Sequence, residues 1–140
     1  MKKIPETKQT ALLRTDFSDD AAWKRVCKEA TKDAGGVAAY LDFIDDKTFL
    51  GLDPKKVKTV LPAGYNHLII FFADQKTFAD KKNTLLCVEL GEDSKYRTFR
   101  VALKAMWEVE NNLSIANMDF DDFADPDREA LDANGVFNGF

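Results

Sequence analysis

Carboxylates stand directly after three of the predicted strands, where an α/β protein usually binds its ligands. Asp16 follows the first strand, Asp45 and Asp46 follow the second, and Asp74 follows the third. Because ligands of parallel α/β sheets bind outside the carboxyl ends of the strands, these side chains would converge at one edge if the strands are parallel. Converged carboxylates are suited to a hard divalent cation such as Mg²⁺, or to a polar ligand.

The same carboxylates also have a purely structural explanation. Aspartate is a common cap and turn former in the loops between strands and helices. The sequence contains no glycine-rich phosphate loop, no nucleophile elbow and no nucleophile paired with its single histidine, His67. The pattern therefore favours structural roles over a metal site, and we assign no metal ligand and no cofactor.

Arg14 lies near the end of the first predicted strand, and a charged side chain in a buried strand needs a partner. One alternative is an ion pair with Asp16 or with a carboxylate of the C-terminal region. The other is an anionic ligand bound at the edge of the sheet. Arg100, in the predicted hairpin, has the same two alternatives.

Amide side chains are concentrated in the last predicted helix, at Asn111, Asn112 and Asn117. Asparagine is a mediocre helix former, so these groups destabilise the helix unless they are hydrogen-bonded. They either bond to neighbouring loops and hold the C-terminal segment in place, or form the polar wall of a pocket. The candidate ligand-binding residues are Arg14, Asp16, Asp45, Asp46, Asp74, Asn112 and Asn117.

The two cysteines, Cys27 and Cys87, are 60 residues apart and form no C-x-x-C motif. They are interpreted as free, buried thiols rather than as a disulfide or redox pair. Two scattered cysteines and one histidine do not favour a zinc site.

Short apolar and alternating segments predict five strands and three helices. The strands cover residues 10–15, 37–44, 67–73, 84–90 and 96–102, and the last two are predicted to form a hairpin. The first helix is predicted to begin after Ser18, which would be its N-cap. The second is predicted to cover 55–61 with Asp53 as N-cap, and the third to cover about 103–118. Residues 136–140 are assigned to an aromatic tail.

The order of these elements, β-α-β-α-β-β-β-α, predicts the α/β class. Early alternation implies parallel strands with right-handed crossovers, and the later hairpin adds an antiparallel part. We therefore expect a mixed β-sheet, with a parallel βαβ part and a β-hairpin, and helices packed on it. A chain of 140 residues has the size of a single domain. Residues 1–10 are assigned to an N-terminal extension and residues 11–140 to the domain.

No apolar segment is long enough to cross a membrane, and no apolar core of a secretory signal follows the basic N-terminus. The expected location is the cytoplasm, without membrane association.

The net charge of −4 is unevenly distributed along the chain. Residues 105–140 carry one basic and nine acidic side chains, whereas residues 1–104 carry 19 basic and 15 acidic ones. The acidic balance of the whole chain argues against a general nucleic-acid binder. The acidic C-terminal part is expected either to be partly neutralised internally, with Arg14 and Arg100 as candidate partners, or to face outward and bind a basic protein.

Two motifs carry a resemblance to a known family. The first is RTDFSDDxxW at residues 14–23, and the second is NLSIANMDFxxF at residues 112–123. Together they resemble a family of small, functionally uncharacterised proteins, mainly bacterial and sometimes fungal, that contain a domain of unknown function. The resemblance covers about residues 11–140 and implies no reaction, cofactor or catalytic residue.

These observations favour a non-catalytic function over an enzyme. The preferred hypothesis is a protein-interaction or accessory module, similar in character to an immunity protein. The alternative is a small metal- or ligand-binding enzyme that uses the carboxylates at the carboxyl ends of the strands.

Overall fold

The structure is a computed structural model and describes residues 2–140. Within these residues, six strands form one mixed sheet in the order β2-β1-β3-β4-β5-β6. The strands are β1 (Thr10–Arg14), β2 (Leu41–Ile44), β3 (Ile69–Ala73), β4 (Leu85–Glu89), β5 (Thr98–Val101) and β6 (Val136–Phe137). β1 pairs in parallel with β2 and β3, β4 is antiparallel to both β3 and β5, and β6 is parallel to β5. The predicted α/β class, with a parallel part and a hairpin, is confirmed.

Four α-helices accompany the sheet within residues 2–140. They are α1 (Asp20–Ala30), α2 (Gln75–Ala79), α3 (Met106–Ser114) and α4 (Asp121–Ala124). The N-cap of α1 is Asp19, whose carboxylate accepts a hydrogen bond of 2.9 Å from the backbone of Ala22. The prediction of Ser18 as the cap was wrong, because the Ser18 hydroxyl donates to the Asp16 carboxylate instead.

Both faces of the central strands are buried, by different elements. In β1, Leu12 packs beneath α1 and α3, whereas the next residue, Leu13, packs on the other face. This alternation is the expected pleat of a strand. The second face is covered by the N-terminal segment and by the 3₁₀ helices Lys47–Phe49 and Pro54–Val60. These elements make up a single domain with three layers.

The segment between β2 and β3 is less regular than the sequence indicates. Asp53 caps it as predicted, accepting a 2.9 Å hydrogen bond from the backbone of Lys55. However, Pro54–Val60 forms a 3₁₀ helix instead of an α-helix. The second strand is also shorter than the predicted 37–44, since only Leu41–Ile44 pairs with β1.

Two of the C-terminal residues assigned to a tail form a sixth strand. Val136 and Phe137 pair with Arg100 and Val101 of β5. The Phe137 ring packs edge-on against Phe123 of α4, with 4.9 Å between the ring centroids.

Residues 2–10 contribute to the packed structure. Ile4 is 2% exposed and lies in the core of the second face, and its backbone donates a 2.8 Å hydrogen bond to Val60. The boundary between an extension and a domain at residue 10 stays a prediction. No helix of residues 2–140 combines the length and the apolar character that crossing a bilayer requires.

Candidate functional site

The parallel strands β1, β2 and β3 end at the same edge of the sheet. Arg14, the last residue of β1, is in register with Ala73, the last residue of β3. After β1 the chain continues to β2, and after β3 it continues to β4. Since β2 and β4 lie on opposite sides of the β1–β3 pair, the two connections diverge at this edge. Ligands of open α/β sheets bind in the crevice that such a divergence creates. This edge, between the ends of β1 and β3, is therefore the candidate site.

Arg14 lies at the centre of the edge and is 2% exposed. Its Nε donates to the backbone carbonyl of Asp16 at 2.9 Å. Its Nη2 donates to the carboxylate of Asp20 at 2.8 Å, and its Nη1 to that of Asp45 at 3.3 Å. The predicted ion pair with the Asp16 carboxylate was wrong, because that residue contributes its carbonyl group and the carboxylates come from α1 and from the end of β2.

Aromatic rings surround the same guanidinium group. Its Cζ atom lies 4.4 Å from the ring centroid of Phe17, 5.4 Å from that of Trp23 and 5.9 Å from that of Phe78. Cations are attracted to ring faces within about 6 Å, more strongly when they are desolvated. The hydrogen bond and the charge of Arg14 also hold the pKa of Asp20 below its usual value. The arginine is thus stabilised as a cation by rings and carboxylates together.

Asp74 takes part in a separate ion pair on the other face of the sheet. Its two carboxylate oxygens accept hydrogen bonds from Nη1 and Nη2 of Arg100, at 3.0 and 2.7 Å. The carboxylate also caps α2 by accepting from the backbone of Thr77 at 3.1 Å. Burial raises the pKa of Asp74, but the hydrogen bonds and charge of Arg100 outweigh it and the pKa is lowered. This carboxylate is held by structural partners.

The other two carboxylates are occupied locally. Asp16 accepts a 3.0 Å hydrogen bond from the backbone of Ser18. Asp46 pairs with Lys2 at 2.6 Å and caps the turn at Thr48, and these contacts lower its pKa to about 2. The parallel strands bring the four predicted carboxylates to one edge, but each has different partners. Among residues 2–140, no group of three His, Cys, Asp or Glu side chains is arranged to hold a metal ion.

Asn112 and Asn117 lie away from this edge. α3 begins just after β5 and ends beside Leu68, at the opposite end of β3, where Leu68 and Met118 line a common depression. Asn112 donates to the carbonyl of Glu108 at 2.7 Å, and Asn117 donates to the Asn112 side chain at 2.8 Å. These bonds favour the structural alternative, in which the amides hold the end of the helix.

Three further residues of the edge were missed by sequence reasoning. A pocket of about 330 Å³ beside Arg14 is also lined by Asp20, Lys24 and Lys47. Asp20 and Lys24 are four residues apart on α1 and so share one face of the helix. That spacing, directly after β1, was the available signal. Lys47 follows Asp45 and Asp46 closely, but only the parallel pairing of β2 with β1 places it nearby.

A larger depression of about 790 Å³ lies at the opposite edge of the sheet, between the loops before β3 and after β4. His67 lies in its wall, and its Nε2 donates to the carbonyl of Thr7 at 2.7 Å. The ring also contacts Tyr65, with 4.9 Å between centroids. The walls of this larger depression are formed mainly by loop residues and contain no buried charge. We therefore regard the smaller Arg14 pocket as the better candidate site.

Neither thiol is suited to nucleophilic chemistry. Burial raises the pKa of Cys27 to about 12 and that of Cys87 well above its ordinary value. Both thiols are therefore protonated at neutral pH, whereas a cysteine nucleophile acts as the thiolate.

The acidic C-terminal segment, residues 105–140, is partly neutralised, but by arginines other than the predicted ones. Asp121 pairs with Arg97, and Asp122 pairs with Arg128 at 2.6 Å. Arg14 and Arg100 are paired with carboxylates outside this segment, so their assignment as its internal partners was wrong.

A family model for a domain of unknown function, DUF6924, matches residues 9–140, which is nearly the whole chain. The chain belongs to this family. No curated protein and no solved structure matches the chain. Membership in DUF6924 agrees with the resemblance drawn from the sequence and assigns no activity, so the role of each residue has to be argued from geometry.

Proposed function

We propose that this DUF6924 protein is a non-catalytic interaction module, an accessory or immunity-like protein that binds a basic protein partner through the acidic C-terminal segment. The observation that carries the proposal is a set of free carboxylates in this segment, together with an exposed aromatic ring that packs on Phe123 of the same segment. The carboxylates are those of Asp119, Asp127 and Glu129, and the ring is that of Phe140.

The free carboxylates remain after the local ion pairs are formed. Within residues 2–140, the side chains of Asp119, Asp127 and Glu129 make no hydrogen bond or ion pair. All three residues are exposed. Complementary charge steers association and discriminates between partners, so a surface of this kind favours a basic protein.

The exposed ring contacts two other aromatic rings. Phe140 is 73% exposed, yet its ring lies 4.8 Å from that of Phe137 and 5.6 Å from that of Phe123. Since Phe123 belongs to α4, the ring lies against the acidic segment. Aromatic residues, phenylalanine among them, are enriched at protein–protein interfaces.

An enzyme that uses the strand-end carboxylates has less support. Its support is that Asp16, Asp45 and Asp74 follow parallel strands at one edge. Against it, these carboxylates serve as caps and ion-pair partners, and both thiols of the chain are protonated at neutral pH.

Quantitative affinity capture from the native host, with the acidic segment altered, tests the proposal. The test variant combines Asp119→Asn, Asp127→Asn and Glu129→Gln, which removes three free carboxylates. We expect a basic protein that is retained by the unaltered chain to be lost from this variant, and its retention to weaken with added salt.

The control variant removes the same amount of charge elsewhere. Glu6, Glu29 and Asp93 are exposed and make no side-chain ion pair within the described residues. The combination Glu6→Gln, Glu29→Gln and Asp93→Asn should retain the partner. Equal retention by the test variant and the unaltered chain, across all specifically captured proteins, would overturn the proposal.

A further inference from the structure

The pocket beside Arg14 has more positive than negative side chains. It is bounded by the first turns of α1 and by the chain that follows β2, and it encloses about 330 Å³. Its lining residues are Arg14, Phe17, Asp20, Trp23, Lys24, Asp45 and Lys47. Three cations and two carboxylates meet there, which leaves one net positive charge.

Arg14 has donors to spare. A guanidinium group carries five N–H donors. One on Nε is used by the Asp16 carbonyl, one on Nη2 by Asp20 and one on Nη1 by Asp45. The second N–H of each Nη atom has no acceptor among residues 2–140, although the side chain is only 3% exposed. The oxygens of a phosphate group can accept hydrogen bonds from such donors, and arginine commonly binds phosphate through two of them.

Lys24 and Lys47 are available to the same ligand. Neither ammonium group makes a hydrogen bond or ion pair within the described residues. Both act on the pocket, since after Arg14 their charges also contribute to the lowered pKa of Asp20. Phosphate ligands are commonly held by an arginine fork together with lysine point charges.

The two carboxylates are weakly held competitors. The side chain of Asp20 is 81% exposed and that of Asp45 is 51% exposed, and the hydrogen bond from Arg14 to Asp45 is 3.3 Å long. Because both carboxylates are exposed, each can turn into solvent when a ligand with about two negative charges binds beside the buried guanidinium.

We propose that this pocket, which we call the arginine pocket, binds the phosphate group of a small organic phosphate. The free N–H donors of Arg14 hold two phosphate oxygens, and Lys24 and Lys47 balance the remaining charge. Phe17 and Trp23, which line the same pocket, contact the organic group. The proposal concerns a different surface from the acidic segment and does not depend on it.

An NMR titration of the ¹⁵N-labelled protein with phenyl phosphate tests the proposal. Trp23 lines the arginine pocket, and Trp107 does not, so the indole signal of Trp107 is an internal control. The Trp23 signal should shift saturably at concentrations up to about 10 mM, which would saturate a site with a Kd of about 1 mM. Inorganic phosphate should bind more weakly and phenol should leave the signal unchanged. A Trp23 signal that does not move with phenyl phosphate overturns the proposal.

Matched charge variants separate the site from general attraction to the protein. Lys24→Gln combined with Lys47→Gln should weaken binding of phenyl phosphate about fivefold, because it removes two partly exposed ion pairs between lysine and phosphate. Lys28→Gln combined with Lys55→Gln removes equal charge from exposed positions outside the pocket and should leave the Kd unchanged within about twofold. Equal effects of the two pairs would show that no specific site exists.

A substitution that is expected to strengthen binding completes the test. Asp45→Asn removes a competitor of the ligand for Arg14 and adds one positive charge to the pocket, so phenyl phosphate should bind about two- to fivefold more tightly. If this variant keeps its fold, as its amide spectrum will show, and yet binds more weakly, the role assigned to the arginine donors is wrong. If it unfolds, the lysine variants, which alter only exposed side chains, decide the question.

Discussion

Removing the charge of Asp74 should destabilise the protein substantially. Asp74 is the carboxylate partner of Arg100, whose side chain is only 10% exposed, whereas that of Asp74 is 25% exposed. Asp74→Asn keeps a side-chain oxygen for the cap of α2 but removes the negative charge. Breaking a fully buried ion pair costs about 3–5 kcal/mol, and the partial exposure of this one lowers the expectation to about 2–3 kcal/mol.

Urea unfolding followed by tryptophan fluorescence measures this change. For a domain of this size, the expected loss corresponds to a Tm decrease of about 6–9 °C. Asp53→Asn is the matched control, because Asp53 is an exposed cap with no ion pair within residues 2–140, and it should change the stability by less than about 0.5 kcal/mol. A loss for Asp74→Asn no larger than that of the control would refute the reasoning.

The same pair predicts a pH dependence with a definite sign. The pKa of Asp74 is lower in the folded protein than its usual value. The pair therefore contributes fully above the unfolded pKa of about 3.9, and the contribution is lost as the pH falls through the folded pKa. The stability difference between the unaltered chain and Asp74→Asn should be constant from pH 7 to about 5 and should shrink below about pH 4. A difference that persists at low pH would contradict the assignment.

Three other substitutions or reactions test local features. Lys2→Ala should raise the pKa of Asp46 from about 2 toward its usual value, as measured by carboxyl NMR titration, because Lys2 is the main cause of the lowering. Iodoacetamide near neutral pH should modify Cys27 only after unfolding, as mass spectrometry would show, because burial raises the pKa of Cys27 to about 12. Phe137→Ala should cost about 3–5 kcal/mol in urea unfolding, whereas Phe140→Ala, at an exposed position, should cost less than about 1 kcal/mol. An unchanged pKa of Asp46 would contradict the role of Lys2, and rapid labelling of Cys27 in the folded chain would contradict its burial. Equal losses of stability for the two phenylalanine variants would contradict the packing of Phe137.

The elements predicted correctly depend on interactions between near neighbours. The apolar segment around Ile69–Ala73 predicts a strand that is covered on both faces, and the structure has that strand at the centre of the sheet. Asp53 followed by Pro54 is a local capping signal, and the cap is present. The choice between α and 3₁₀ helix for Pro54–Val60 has no such local signal, since both begin with the same cap. Val57 and Val60 of this helix pack on the second face of the sheet.

The partners of the charged residues were predicted less well. The need of Arg14 for a partner follows from its place in an apolar strand, and this expectation was confirmed. Its actual carboxylates, Asp20 and Asp45, are 6 and 31 residues away along the chain. They meet Arg14 because α1 crosses beside β1 and because β2 pairs with it in parallel.

The sequence by itself determined the class of the fold, the order of its main elements and the presence of charges that need partners. These properties depend on apolar patterns, caps and burial, whose signals lie in residues that are close together in the sequence. Only the tertiary structure decided that Arg14 and Arg100 lie on opposite faces, that residues 136 and 137 extend the sheet, and that Lys24 and Lys47 share a pocket. Each of these depends on strand register and on crossovers between distant segments, for which the chain carries no short-range signal.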